Sequence, residues 1–545
     1  MFCRNSCFNH KPILLALVLA VSAGKLMAGD APLAIAAMER DFDIVRALLA
    51  ERGADVDALG RYDTPALHWL VRVEEIELTK TLLAAGADPN FATSLGLLPL
   101  HLAIENGDTD MVKLLLDNGA DPARPDRTGE SPLIMAARAG STDIVELLLQ
   151  HGVDVDAREP AFNQNALMVA TRSDVAAVTR LLVEHGADVN AQSNAGAVPD
   201  FRLPASNAGS KGIGIVRGGW PERGDRSPIG GAKTPLLYAT RSGNLEQTRL
   251  LVEAGAGLEQ ADENGLTPLL NAILNASVAN LDRPNDRHIE VARYLIEQGA
   301  NVNAMDFYGE TPLWAAVELR NLDMSGPAAD NGIDRAAALD LITLLLDKGA
   351  DPNARTKEQV PEHRWITRIG NLSWVDFTGQ TPFLRAALSG DVSTMKLLVE
   401  KGADPNIATY AGTTPLMAAA GINWVVSQTF DEGQDALLEA VKYAHSLGND
   451  VNAVNSMGLT AMHGAANRGS DAIIRWLAAN GARLDVSDLQ GRTPVFWAHG
   501  VFLATHPPVD RPETAALIEQ LLAQTSAQSA EEPAVKPAAN QKETP

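Results

Sequence analysis

Residues Ser94 to Arg124 read SLGLLPLHLAIENGDTDMVKLLLDNGADPAR, and the chain beyond its first thirty residues is this stretch copied, worn and interrupted. Leu98-Pro99-Leu100-His101 opens one short helix, with Pro99 in the first turn, where its missing N–H has no helical partner to lose. Asp108 to Asp117 predicts a second helix. Met111, Val112, Leu114, Leu115 and Leu116 give it more apolar surface than an isolated helix of that length can bury, so it needs neighbours. Gly119 supplies a stop where positive φ costs little, and Asp121-Pro122 turns the chain toward the next copy.

The copies can be counted from the glycines that close the second helix: Gly53, Gly86, Gly119, Gly152 and Gly186, spaced 33, 33, 33 and 34. Thr-Pro pairs mark helix starts at Thr311-Pro312-Leu313, Thr381-Pro382-Phe383 and Thr414-Pro415-Leu416. The turns after the second helix read GADPN at Gly86 to Asn90, GADVN at Gly186 to Asn190, GANVN at Gly299 to Asn303 and GADPN at Gly402 to Asn406. A period of about 33 residues holding two helices and a turn resembles the ankyrin repeat. The resemblance runs from about residue 30 to 523. It implies an all-α fold, an ankyrin-repeat solenoid of about twelve helix-turn-helix units with finger turns and several inserted loops. The units begin near residues 30, 59, 92, 125, 159, 233, 262, 306, 376, 409, 455 and 488.

After Gly186 the spacing breaks. The next closing glycines are Gly255, Gly299, Gly349, Gly402, Gly448 and Gly481, with gaps of 69, 44, 50, 53, 46 and 33. Surplus residues near Ala276 to Asp286, Asn321 to Asp334 and Ile422 to Gln434 fall between the two helices of a unit. Ser193 to Ala232 and Arg355 to Val375 fall instead in the finger that joins units. The expected organisation is a leader at 1–28, a regular array at 29–192, an inserted loop at 193–232, an interrupted array at 233–523 (with the insert 355–375) and a disordered tail at 524–545, which lacks apolar periodicity.

The leader carries Arg4, His10 and Lys11 ahead of an apolar run of eleven residues, Ile13 to Ala23, broken only by Ser22, and offers small-residue sites after Ala23 and Ala28. A membrane-spanning helix needs about twenty apolar residues, so a cleaved secretory signal is expected, and a short uncut anchor is the alternative. Export would place the mature chain in a periplasmic or extracellular setting. Both cysteines, Cys3 and Cys7, lie in the leader, so downstream residues can form neither a disulfide nor a thiolate metal site. The formal charge is −23 for the full chain. Removing Arg4, Lys11 and Lys25 with the leader takes it to −26, a surface that repels nucleic acid and anionic membranes.

Catalytic and metal readings find little support. By resemblance, His68, His101 and His463 occupy the helix-start histidine of the repeat, a local hydrogen-bonding position. His151, His185 and His445 lie near second-helix ends, where the dipole favours a cation. There is no HExxH and no paired zinc-ligand spacing. The aspartates of the GAD turns are turn formers first. Gly209 to Gly214 lacks the phosphate-loop pattern and a preceding strand. No catalytic residue, metal ligand or cofactor is assigned.

The candidate binding residues are departures from the repeat. The insert 193–232 holds Trp220 with Arg217 and Arg223, and 355–375 holds Trp365 and Trp374 with Arg364; each insert is net +2. Arg and Trp together suit binding hot spots, although the tryptophans of such loops also pack back onto the array. At the tips of the turn Asp-x-x-Gly-x-Thr-Pro stand Phe307 and Tyr308, then Phe377, Tyr410 and Met457. Stacked units lie about 10 Å apart, so these side chains are expected to form one apolar strip, or else to cover the inserted loops. The resemblance implies a non-catalytic scaffold or adaptor that binds a partner protein on its concave finger side as a monomer. The alternative is a receptor or enzyme for a small anionic ligand, using the Arg- and Gly-rich insert 193–232.

Overall fold

A computed structural model of the chain describes residues 31–51, 54–194, 231–276, 286–321, 334–357, 378–424, 432–501 and 508–531. Among them are 24 α-helices, one 3-10 turn at Arg61–Asp63 and no strand. They divide into two compact units, the first drawn from residues 1–203, 229–239 and 246–257 and the second from 204–228, 240–245 and 258–545.

The first unit contains α1 (Pro32–Met38), α2 (Phe42–Ala50), α3 (Ala66–Arg72), α4 (Ile76–Ala84), α5 (Pro99–Asn106), α6 (Thr109–Asp117), α7 (Pro132–Ala139), α8 (Thr142–Gln150), α9 (Ala166–Arg172) and α10 (Ala176–Glu184). Residues of α11 (Pro235–Ser242) and α12 (Leu245–Glu253) fall in both units. The second holds α13 (Pro268–Ala276), α14 (Asp286–Glu297), α15 (Pro312–Arg320), α16 (Arg335–Asp347), α17 (Pro382–Ser389), α18 (Val392–Glu400), α19 (Pro415–Ala420), α20 (Gln434–Ser446), α21 (Ala461–Arg468), α22 (Asp471–Ala479), α23 (Pro494–Ala498) and α24 (Pro512–Glu531). The helix α24 runs through residues 524–531, the start of the tail expected to be disordered, because adding residues to a helix already nucleated needs no apolar face. Within each unit the helices stack in two layers. The first helix of a pair packs on the first helix of the next, as α5 on α7 or α15 on α17, and the second helices do likewise.

The α5–α6 pair shows why these residues fold this way. Pro99 sits in the first turn of α5, and Gly107, at φ 72°, ends it in the left-handed region. The Asp108 side chain then accepts the Met111 N–H at 3.0 Å and starts α6. Met111, Val112, Leu115 and Leu116 are buried. Gly119 has φ 91° and open space around its Cα, so conformation rather than crowding requires glycine there. Gly464 is the converse case: a methyl placed on it would lie 2.7 Å from the Ile422 backbone nitrogen, so its absence lets α21 approach the end of α19.

Side chains of the GADPN-type turns clip neighbouring repeats together. Asn90 donates from its amide to the Gly119 carbonyl at 2.7 Å and accepts the Asp121 N–H at 2.7 Å. In the second unit Asn303 does the same with Gly349, at 2.9 Å, and Asp351, at 2.7 Å. The aspartates close their own turns, as Asp88 does by accepting the Asn90 N–H at 2.8 Å. The helix-start histidines are equally local: Nε2 of His68, His101 and His463 lies 3.0, 2.9 and 3.3 Å from the carbonyls of Leu97, Arg124 and Arg492 in the next repeat. Burial holds all three imidazoles below the usual histidine range, which keeps them neutral.

The two finger inserts enter the fold at one and the same turn position. In the uninterrupted turn, the Asp306 N–H donates to the Glu310 carbonyl (3.2 Å), its carbonyl accepts from Gly309 (3.1 Å), and its carboxylate accepts the Glu310 N–H (2.8 Å). Thr356 makes the same three bonds across the second insert, with Gln380 (3.1 Å), Gly379 (2.8 Å) and, through its hydroxyl, the Gln380 N–H (3.0 Å). Ser193 makes them across the first, with Lys233 (3.1 Å), Ala232 (2.9 Å) and again Lys233 (3.1 Å). Ala232, at φ 55°, stands where other turns have glycine. The repeat pattern places Asp376 at the head of the turn before α17; the hydrogen bonds assign that place to Thr356, because the turn needs a backbone amide and a short acceptor side chain rather than an unbroken sequence.

Candidate functional site

In the second unit the finger tips are joined by backbone hydrogen bonds. The N–H of Phe307 donates to the Asn264 carbonyl (2.8 Å), Lys357 to Tyr308 (2.7 Å), Tyr410 to Thr378 (3.0 Å), Ser456 to Ala411 (2.7 Å) and Leu489 to Met457 (3.1 Å). Each tip is therefore held by the one before it. Position two of the turn faces outward, and it carries Phe307 and Tyr410, which are 51% and 59% exposed. Tyr308 is half-buried and meets Phe307 edge to face, with ring centroids 5.4 Å apart. The Arg355 guanidinium lies 4.2 Å from the centre of the Tyr410 ring and donates to the carbonyls of Gly379 and Ala408, which fixes that ring on the finger.

The structure thus brings Phe307 and Tyr308 together. It sets Tyr410 two fingers further along, with Lys357 and Thr378 supplying the tip between them. Met457 is half-buried. Phe377, Trp365, Trp374, Arg364, Trp220, Arg217 and Arg223 lie outside the described residues.

Behind these fingers, at the far ends of the first helices, lies a buried ionic cluster. Arg385 on α17 pairs with Glu318 on α15, and burial pulls its guanidinium down to about 9. Arg320 pairs with Asp391 at 2.8 Å. Burial pushes the Asp391 carboxyl up, but hydrogen bonds from Arg320 and Thr394 outweigh this and hold it below the usual carboxylate range. Trp424 packs against Leu384, Leu388 and Ala418, with Arg468 stacked 4.7 Å from its ring. Salt-bridged in pairs, Arg385 with Glu318 and Arg320 with Asp391 staple consecutive repeats together. Among the described residues, no group of three or more His, Asp or Glu side chains could hold a metal ion.

The first unit has exposed tips that the Asp-x-x-Gly pattern does not find. Tyr62 is 77% exposed, Leu95 64% and Phe162 43%. Tyr62 and Asp63 both sit in the left-handed region, at φ 67° and 50°, which costs on the order of 1 kcal/mol per residue for non-glycine side chains. Tyr62 belongs to a finger written Gly60-Arg61-Tyr62-Asp63, without a turn glycine after the tip. The signal available in the sequence was position alone, two to four residues ahead of a helix start.

Residues 67–159, 100–193, 335–436 and 432–501 match the family described as "Ankyrin repeats (3 copies)", and residues 28–61, 264–307 and 308–357 match "Ankyrin repeat". The chain belongs to the ankyrin-repeat family. The matched residues make up well over half of the sequence, and ankyrin repeats are in general protein–protein interaction modules. Among curated proteins the chain is similar to "Inactive serine/threonine-protein kinase TEX14" of Bos taurus, 41% identical over 70 residues, 12% of this chain and 5% of that protein. It is also similar to "Neurogenic locus notch homolog protein 1" of Homo sapiens, 34% identical over 127 residues, 23% of this chain and 4% of that one. The matched stretch is thus a small part of either relative. Among solved structures, the human ASB11 ankyrin repeat domain aligns at 23% identity and TM-score 0.36, covering 50% of this ankyrin-repeat chain and 98% of that one. The ankyrin repeat domain of Bcl-3 aligns at 23% and 0.35, covering 46% and 93%. Among the described residues no helix is long and apolar enough to cross a membrane.

Proposed function

We propose that the chain is an exported, non-catalytic scaffold that holds a partner protein on the finger side of its repeats, with Phe307, Tyr308 and Tyr410 among the residues that touch it. The observation that carries this reading is the exposure of large aromatic side chains at finger tips that backbone hydrogen bonds hold in a row. Aromatic area presented on a fixed frame loses little entropy on binding, and it is costly to leave in water unless another surface covers it. The ankyrin family membership supports a protein as that surface. The charge of −23 disfavours nucleic acid, and the scaffold is read as a monomer.

The test is crosslinking and affinity capture from the native source with the full chain and with Phe307→Ser/Tyr410→Ser. Loss of the captured partner, with thermal unfolding unchanged, supports the assignment; undiminished capture breaks it. Export rests on the leader and has its own test. N-terminal sequencing of the protein recovered from periplasm or medium is expected to start at Gly24 or Gly29, and an intact Met1 in that material overturns cleavage.

A further inference from the structure

Ten residues after the residue that opens a first helix stands the one that caps the second: Asp108 after Leu98, Asp391 after Thr381. Ten after Thr414 stands Trp424, and its side chain is used differently. Helix α19 is only six residues long, and the chain leaves it through Gly421, at φ 120°, and Asn423, at φ 70°. The Trp424 N–H closes this bend on the Gly421 carbonyl at 3.3 Å. The half-buried indole then lies across the first helices of three consecutive repeats. It packs on Leu384 and Leu388 of α17 and Ala418 of α19, and the Arg468 guanidinium of α21 stacks 4.7 Å from the ring. Leu388 shows what the ring covers. Its counterparts, seven residues after the helix-opening residue, are Glu105 in α5 and Arg138 in α7, both exposed, whereas Leu388 is 1% exposed. A side of the first helix that the first unit leaves to water is therefore apolar here and carries one flat ring. The fit is incomplete at one atom. The indole Nε1 of Trp424 is buried without a hydrogen-bond partner, whereas a buried tryptophan N–H ordinarily has one.

We propose that Leu384, Leu388, Ala418 and Arg468 form a binding site for one aromatic side chain of a partner protein, and that Trp424 fills it in the free chain as an internal stand-in. The proposal rests on the reading of the array as a protein-binding module, and not on which fingers bind. The class of occupant is set by what lies there: a planar ring, with an apolar floor on one side and a guanidinium over its face. Exchange is favoured by the unpartnered N–H. When Trp424 leaves, its Nε1 gains a hydrogen bond to water and breaks none in the protein. The apolar floor that it uncovers is then costly to leave wet, so another ring takes its place. Competition by Trp424 lowers the apparent affinity of any incoming ring in proportion to the fraction of time for which the site is open.

The experiment labels the eight tryptophans of the full chain with fluorotryptophan, assigns the Trp424 fluorine resonance by its loss in Trp424→Phe, and titrates with N-acetyltryptophanamide. The Trp424 resonance is expected to move toward that of the free probe while the other tryptophans stay in place. Trp424→Ala is expected to bind the probe about tenfold more tightly than the parent chain. Trp424→Ala/Leu388→Arg, which restores the arginine found in α7, is expected to lose that gain. A Trp424 resonance that does not move overturns the proposal, and this arm decides alone if Trp424→Ala does not fold. In a folded Trp424→Ala, no gain in affinity, or a gain that survives Leu388→Arg, overturns it as well; a tryptophan that serves stability alone would lower the melting temperature and leave probe affinity as it was. Probe binding that disappears in Phe307→Ser/Tyr410→Ser would place the probe on the fingers and also end the proposal. The finger reading is decided separately, by capture of the partner.

Discussion

Helices α5 and α7 of the first unit keep one side open to solvent, with Glu105, Asn106 and Arg138 exposed, whereas α15, α17 and α21 of the second bury every residue. Among the buried residues are Glu318, Arg320, Arg385 and Arg468. The open helices belong to repeats spaced by 33 residues; of the closed ones, α15 and α17 belong to repeats spaced by 50 and 53, and α21 to one spaced by 33. Desolvating an arginine costs several kcal/mol unless a carboxylate meets it, and here Arg385 meets Glu318 and Arg320 meets Asp391. The comparison teaches that one repeat can be used in two ways. In the first unit both the first helices and the fingers keep exposed side chains. In the second the first helices α15, α17 and α21 bury their charged side chains as well.

The sharpest way to break this contrast is to remove one charge from each unit. Arg385→Ala takes the buried guanidinium away from the Glu318 carboxylate, and is expected to destabilise the second unit by about 4 kcal/mol in urea unfolding. Arg138→Ala removes a pair that is half exposed in the first unit, and should cost no more than about 1 kcal/mol. The double change Arg385→Met/Glu318→Met is expected to recover most of the loss. Equal effects of Arg385→Ala and Arg138→Ala would show that the buried cluster is no tighter than a surface pair.

Next in size is Leu115→Ala in α6, which opens a cavity between repeats and should cost about 3 kcal/mol. Because each repeat leans only on its neighbours, hydrogen exchange is expected to speed up in α5 to α8 and to stay unchanged in α19 to α22. A uniform rise across the chain would mean that both units unfold as one cooperative block.

The smallest expected effect is on pH. Burial lowers the imidazoles of His68 and His101 in the first unit and of His463 in the second below their ordinary value of 6.5. The unfolded chain therefore binds more protons than the folded one as pH falls, so this contribution is full above 6.5 and is lost on acidification below it. With two such histidines the first unit should lose more than the second between pH 7.5 and about 5.5. Asp391 acts in the same direction at lower pH: its depressed carboxyl stabilises the second unit above the ordinary 3.8 and ceases to as pH drops through its own lower value. Melting followed separately in each unit as a function of pH checks both statements.

The helix pairs were legible because they follow from local chemistry. Pro99, Asp108 and Gly119 each impose a backbone state that any neighbour must accept, and the leucines of α6 then demand a stack. The neck of the second finger was not legible. Asp376 to Gly379 fits the turn pattern without a gap, while Thr356 reaches Gln380 across more than twenty residues, and only the hydrogen bonds tell the two apart. At the tips, Phe307 and Tyr410 were found because they follow a recognisable turn residue, whereas Tyr62 follows Gly60-Arg61 and Leu95 looked like consensus. Exposure at those two places is a tertiary property: it depends on the next finger's residue, Arg127 in the case of Leu95, lying across Gly96 rather than over the apolar side chain.

The closure of both interrupted fingers on Ser193 and Thr356 has a practical side. The bonds that close each turn fix the two points at which the extra residues leave and re-enter the fold. Such a neck is a natural exchange point: a foreign loop spliced between Asn194 and Ala232, or between Lys357 and Thr378, would inherit a fixed pair of anchor points.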